Sequence, residues 1–318
     1  MTLGTQSARL GALRKQLKDQ GLDGFIVPRA DEHQGEYVPA HADRLAWLTG
    51  FSGSAGNAVI LQDKAAVFVD GRYTLQVRNE IEGDLYDFPH FTNEPATKWI
   101  TKHISKGAKL GYDPWLHTPH QVTRFKNACA NADAKLVACS TNPIDAIWED
   151  QPLPPVSPAI PLEITYTGRT SQKKREELAK MLQTEKIDAT VLAAPDSIAW
   201  LLNMRGNDVP YSPLVLCFAL VYNNGNVDLF IDQQKITDDL AASFDNGIKV
   251  LDRNNIEDAL SALGQSSKSV SLDPNGAPSW IQDRLNQAGA QVVFADDPCQ
   301  LPKAIKNDIE INGIRAAH

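Results

Sequence analysis

The chain has 318 residues, too many for one ordinary domain and close to two at roughly 150 residues each. Hydrophobic residues at 42% and charged residues at 22% exclude disorder as the main state, and a net charge of −8 argues against a nucleic-acid partner, whose phosphates require clustered Lys and Arg. No apolar run reaches the roughly 18 residues of a membrane helix, and the start has no apolar signal core. Four scattered cysteines form no C-x-x-C pair, so buried thiols in a reducing, cytoplasmic setting are expected.

Leu10, Leu13 and Leu17 recur at helical spacing, and the strand Gly24-Phe25-Ile26-Val27 follows. Leu45 to Leu48, a glycine-rich turn and two apolar runs, 58–61 and 66–69, come next. Gly111-Tyr112-Asp113-Pro114, a helix after His120 and a strand near 135–137 complete the series. The second half repeats this order. A charged helix spans about 171–185 with Leu178, Met181 and Leu182 on one face, and the strand 190–192 and the run Ile198 to Leu201 follow. Strands near 214–221 and 227–231, Leu272-Asp273-Pro274, a helix through Trp280 and Leu285, and the strand 291–294 close the copy. Strands alternating with helices predict an α/β layer fold, with strand order left open.

The register between the copies shifts. Asp23 matches Asp188 at an offset of 165, and Trp47 matches Trp200 at 153, so the first copy holds about twelve extra residues, which include 31–37. Asp70 matches Asp232 at an offset of 162, so the second copy gains about nine residues, around 207–213. Insertions of this kind sit in loops, where function concentrates, although neutral drift also produces them. Pro152, Pro154, Pro155, Pro158 and Pro161 predict a stiff extended connector. The expected division is a domain over 1–155, a linker over 156–168, a second domain over 169–302, and a helix starting within 303–318. In that last segment Ile305 and Ile309 stand one turn apart and Lys306 can pair with Glu310. The helix reaches His318 without a capping glycine, which fits either the first turns of a further domain or a terminal helix on the second one.

Catalytic signatures are sparse. No histidine occurs between Gln121 and Ala317, so a His-dependent site cannot lie within the second copy. Thr118-Pro119 between His117 and His120 disfavours a helical ligand pair, and the adjacent Asp31, Glu32 and His33 rarely converge on one ion. Gly50-Phe51-Ser52-Gly53-Ser54 nearly spells a nucleophile elbow, but it lacks the last glycine and runs helix-to-strand. Asp70-Gly71-Arg72-Tyr73 ends a buried strand and opens a helical pattern: Asp70 can cap, and Arg72 projects at the carboxyl end of the strand, where α/β folds place ligand contacts. A cap beside an ordinary surface arginine explains these residue types equally well, yet the second copy keeps Asp232 and loses the glycine and arginine. Arg205 and Asp208 can form an internal salt bridge, and Trp47 and Trp200 read as core anchors.

Taken together, His33-Gln34-Gly35-Glu36-Tyr37, Gly50 to Gly56, Asp70 to Tyr73, Ile198 to Asp208 and Lys303 to Asn307 give the chain a resemblance over essentially its whole length. It resembles the amino-terminal two domains of three-domain aminopeptidase P (Xaa-Pro aminopeptidase), in the creatinase/prolidase superfamily. The resemblance implies two tandem creatinase-type amino-terminal domains, each a mixed sheet of about six strands flanked by helices. It also implies a third domain holding two divalent metals, usually manganese, through two Asp, one His and two Glu, none of which falls in this chain. The chain itself is then expected to be inactive, without a cofactor, and to contribute homodimer contacts and a narrowed approach for peptides with proline in second position. Positions matching Glu36 and Arg72 are implicated at the substrate channel: a carboxylate can receive a peptide's free amino group, and a guanidinium a carbonyl or carboxylate.

Two other readings fit the residues. One is a stand-alone two-lobe binding protein with Glu36, Arg72 and Arg205 lining a cleft. The other is a prolidase- or creatinase-like enzyme, although those relatives typically carry one such domain.

Overall fold

The structure, a computed structural model, describes residues 4–318. They form two compact units: residues 4–31 with 35–154, and residues 155–318 with the short segment Glu32–Gln34.

The first unit runs α1 (Gln6–Asp19), β1 (Gly24–Pro28), α2 (Arg44–Thr49), β2 (Gly56–Leu61), β3 (Ala65–Val69), α3 (Gln76–Glu80), α4 (Ala96–His103), β4 (Lys109–Tyr112), α5 (Pro119–Ala130) and β5 (Lys135–Ala138). Its sheet has the order β3-β2-β1-β4-β5, antiparallel on the β2 side of β1 and parallel on the β4 side. Alternation along β1 sends Phe25 and Val27 to a core under α1 that holds Leu10, Leu13 and Leu17, while Ile26 joins Trp99 and Ile100 of α4 on the opposite face. Both faces of the sheet are thereby covered, and burying each large side chain contributes about 1.5–3 kcal/mol.

The second unit runs β6 (Ile160–Pro161), α6 (Ile164–Thr167), α7 (Ser171–Thr184), β7 (Ala189–Leu192), α8 (Pro195–Leu202), β8 (Met204–Arg205), β9 (Phe218–Tyr222), β10 (Val227–Phe230), α9 (Asp238–Ser243), β11 (Ile248–Leu251), α10 (Ile256–Gln265), β12 (Ser269–Leu272), α11 (Ser279–Ala288), β13 (Gln291–Phe294), α12 (Gln300–Ala304) and α13 (Asp308–Ala317). The main sheet, β11-β10-β9-β7-β12-β13, repeats the mixed topology of the first and adds β11 in parallel beside β10. The first sheet therefore has five strands, not about six. Where β11 would pair, it has an isolated parallel bridge between Ala66 and Asp87.

The duplication extends to individual hydrogen bonds. Asp23 accepts from the Lys109 N–H at 2.8 Å, and Asp188 accepts from the Ser269 N–H at 2.9 Å, each fixing the next parallel strand. Asp113 and Asp273 each turn back to the N–H two residues on. Arg9 and Lys174 bond the carbonyls of Trp47 and Trp200, and each cation also lies against the matching indole, at 5.0 and 4.6 Å from the ring centroid. The tryptophans are accordingly half-buried platforms for a cation and not sealed core anchors. Burial pushes the Lys174 ammonium down to about 8.

Several sequence expectations need correction. Met181 is 40% exposed, because α7 turns Lys174, Arg175, Leu178, Ala179 and Leu182 inward instead. The strand expected from 214 starts at Phe218, since Asp208 takes the Leu216 N–H and removes it from sheet pairing. Cys139 is half-buried while the other three cysteines are buried. Residues 151–158 are free of helix and strand, Ala159 bridges Ile236, and within the expected linker 156–168 the chain forms β6 and then α6, closed by Gly168 at φ 67°. The terminal helix is two helices: α12 stops at Ala304, and Asn307 opens α13 with a reciprocal capping box to Glu310. Glu310 therefore turns back to the Asn307 N–H at 3.0 Å, and Lys306 bonds the Lys303 carbonyl instead of pairing with it. α13 is tied to α6 by Asn307 Nδ2 donating to the Thr167 carbonyl, while Ile309 and Ile314 stay 44% and 48% exposed.

The second copy's extra loop is a structural lock. Asp208 pairs with Lys235, not Arg205, at 2.7 Å, with both side chains buried, and it also accepts from the N–H groups of Leu216 and Ser157. Lys235→Met leaves that carboxylate buried and unpaired, with an expected loss of about 3–5 kcal/mol in chemical denaturation. Adding Asp208→Asn should recover at least about 1 kcal/mol; no recovery would show that the pair is not the source of the loss.

His117 sits just before the Thr118 cap of α5, 1% exposed, edge-on to Tyr112 and Phe125. Nδ1 bonds the Asp113 carbonyl at 2.9 Å and Nε2 has no partner, so the ring is neutral with its proton on Nδ1. Burial lowers its pKa to about 4. The unfolded chain therefore binds the extra proton first, and the stability associated with neutral His117, about 3 kcal/mol, is present above about pH 6.5 and lost as pH falls toward 4. His117→Phe is expected to remove that part of the slope; an unchanged slope between pH 7 and 4 refutes the assignment.

Candidate functional site

β3 carries the chain out of the sheet to Asp70, whose backbone is extended at φ −73°, ψ 172°. Its carboxylate accepts from the Arg72 N–H at 2.9 Å and so caps the short 3-10 turn Gly71–Tyr73. The same carboxylate holds the guanidinium side-on, with Nε at 3.1 Å from both oxygens and Nη2 at 2.6 Å from one. The pair keeps the Asp70 carboxyl below its usual range and the Arg72 pKa above its own. The arginine side chain is nevertheless 63% exposed, with its guanidinium 5.1 Å from the Tyr73 ring centroid.

Glu36, on the first copy's extra loop, is also exposed and lies within electrostatic reach of Arg72. It makes no hydrogen bond among the described residues, so its carboxylate faces solvent. Both residues singled out by resemblance thus sit on the surface of the first unit.

The second copy supplies a control. Asp232 caps the turn Gln233–Lys235 through the Gln234 N–H at 2.9 Å, with glutamine where Arg72 stands. The cap belongs to the fold; the arginine does not.

The glycine-rich segment 50–56 is stitched to this corner. Gly50 closes α2 at φ 81°, and a Cβ at Gly53 would lie 2.2 Å from the Phe51 ring, so both positions demand glycine. The turn they allow brings Ser54 Oγ to 2.8 Å from the Tyr73 hydroxyl, a contact that lowers the Tyr73 pKa. Phe51 meets Tyr73 edge-on at 5.5 Å. Ser52 gives Glu80 both its N–H and its hydroxyl, at 2.9 and 2.6 Å, and Gln76 braces the pair at 3.0 Å. Burial pushes the Glu80 carboxyl up, but these hydrogen bonds outweigh it and leave it lowered. Ser52 is therefore a brace of the loop. Its link to Glu80 joins residues 28 apart, which no local pattern reveals.

Among the described residues no group of three or more His, Cys, Asp or Glu is placed to hold an ion. His33 lies 3.8 Å from Glu32 Oε1, but its Nδ1 bonds the Ala193 carbonyl and its ring stacks on Phe218 at 4.4 Å, while Glu32 bonds Arg253 at 2.7 Å. The residues present therefore do not fit a dinuclear centre. Arg205 is exposed at the short β8 pairing.

Because the cap and the guanidinium pair are separable, Asp70→Ala should cost about 1 kcal/mol through the lost cap, whereas Arg72→Ala should leave the thermal midpoint unchanged. An equal loss in both would make Arg72 part of the fold.

Comparison with known proteins accords with this geometry. The creatinase/prolidase N-terminal domain is matched twice, over residues 9–147 and again over residues 150–310. A probable Xaa-Pro aminopeptidase P of Aspergillus niger is 32% identical over 98% of the chain and 52% of its own length; aminopeptidase P1 of Lotus japonicus is 30% identical over 97% and 53%. The crystal structure of X-prolyl aminopeptidase from Caenorhabditis elegans, a cytosolic enzyme with a di-nuclear active site, superposes with a TM-score of 0.92 at 26% identity, over 99% of this chain and 54% of that one. The chain thus spans about half the length of the relatives it matches. With both halves matched and both sheets repeating one mixed topology, the chain belongs to the creatinase/prolidase N-terminal domain family and carries two such domains in tandem.

Proposed function

We propose that the chain is the non-catalytic amino-terminal portion of a cytoplasmic, homodimeric dinuclear-metal Xaa-Pro aminopeptidase, where it shapes substrate access and contributes subunit pairing. The complete enzyme would remove an N-terminal residue preceding proline. Two divalent ions, manganese by resemblance, would activate water and polarise the scissile carbonyl there. This chain's own residues act on the peptide before that step. Glu36 offers an unpaired carboxylate to a peptide's ammonium group, and Arg72 offers fixed guanidinium donors to its oxygens. The access role is carried by the contrast between the two copies: the Asp70 and Asp232 caps are equivalent, yet Arg72 alone adds an exposed, anchored cation. The match to Xaa-Pro aminopeptidases over 98% of the chain supports the substrate class. No described helix is long and apolar enough to cross a membrane, in keeping with the proposed compartment.

In the complete enzyme, Arg72→Ala and Glu36→Gln are each expected to lower kcat/KM on Xaa-Pro peptides by about tenfold, the loss of one charge-assisted contact. The thermal midpoint should not move, and the enzyme should sediment as a dimer. Wild-type kinetics in both variants would defeat the access role, and a monomeric active enzyme would defeat the pairing role.

A further inference from the structure

The electrostatics of the Arg72 corner restrict which part of a peptide it accepts. Asp70 engages Nε and one Nη2 edge of the guanidinium through both carboxylate oxygens, and the Arg72 N–H fixes that carboxylate from behind. The side-on bidentate edge, Nε with Nη2, is therefore already occupied, and only the end-on edge of Nη1 and the second Nη2 hydrogen is left. Nη1 makes no hydrogen bond to the described residues, the side chain is 63% exposed, and the guanidinium carbon lies 5.1 Å from the Tyr73 ring centroid. Charge points the same way: Asp70 pairs with the guanidinium and offsets its charge, and the Glu36 carboxylate adds a weaker negative field to it. A second anion arriving there meets repulsion from both, whereas a neutral oxygen needs only the free N–H groups.

We propose that Arg72 receives a neutral backbone carbonyl of the peptide and not its terminal carboxylate, so that peptides amidated at the C-terminus are accepted at this position as readily as free acids. The inference rests on the substrate-access role of Arg72 and narrows it: Asp70 sets the specificity by cancelling the charge that a carboxylate would seek. Glu36 completes the selection by favouring the cationic end of the peptide.

The test is kcat/KM of the complete enzyme for one Xaa-Pro-Xaa tripeptide prepared as free acid and as C-terminal amide. Arg72→Gln should lower both by the same factor, within about twofold, since a hydrogen bond to a carbonyl is lost in each case. Asp70→Asn keeps an oxygen for the cap and removes the compensating charge; it should shift the acid-to-amide ratio toward the acid by about threefold to tenfold, an effect that shrinks as salt is raised. A merely structural role for Asp70 would change both peptides alike. The proposal is overturned if Arg72→Gln penalises the acid at least fivefold more than the amide, or if Asp70→Asn leaves the ratio unmoved. If Arg72→Gln alters neither peptide, the access role itself fails, a result distinct from the other two.

Discussion

One carboxylate at the end of a buried strand governs the surface corner of the first unit. Asp70 accepts the Arg72 N–H where the chain leaves the sheet and so caps the turn that follows. Having been fixed by the backbone, it becomes a rigid counter-ion for the guanidinium on the same turn. Exposed ion pairs usually contribute little because two long side chains must be ordered. Here one partner is ordered already by the cap, so the arginine is aimed at little additional entropic cost.

Duplication explains why such a corner could diverge. Both sheets keep the same central antiparallel-and-parallel pattern, and the paired aspartates 23 and 188 fix the same strand junction in each. Those groups hold the fold and appear twice. The exits from the strands are under weaker constraint. In one copy the extra loop buries Asp208 against Lys235 and becomes structure; in the other it leaves Glu36 in solvent. Insertions of similar length thus serve opposite ends, one inward and one outward.

Local physics made much of this legible from sequence. Leucines 10, 13 and 17 are a helix stripe and are fully packed, and Asp70 before Gly71 signals a cap that forms. Met181 was misplaced because a helical stripe wider than its strict apolar positions admits the aliphatic stems of Lys174 and Arg175, both buried. The break at Ile305 was readable in Asn307 and Glu310, three apart, but the apolar spacing across it obscured the signal. Contacts such as Ser54 with Tyr73, or Asp208 with Lys235, depend on how distant loops fold back, and no periodicity encodes them.

The isolated bridge at Asp87 has a consequence for solubility. β3 is the outer strand of its sheet and reads Ala-Ala-Val-Phe-Val, without a charge or a proline, the composition of a sticky edge that templates association between molecules. Asp87 accepts from the Val67 N–H and donates to the Ala65 carbonyl, occupying the pairing positions a neighbouring molecule would use. A single bonded residue thus stands guard where the sister sheet uses a whole strand, and damage to the 82–88 loop would convert a well-packed domain into a seed for aggregation.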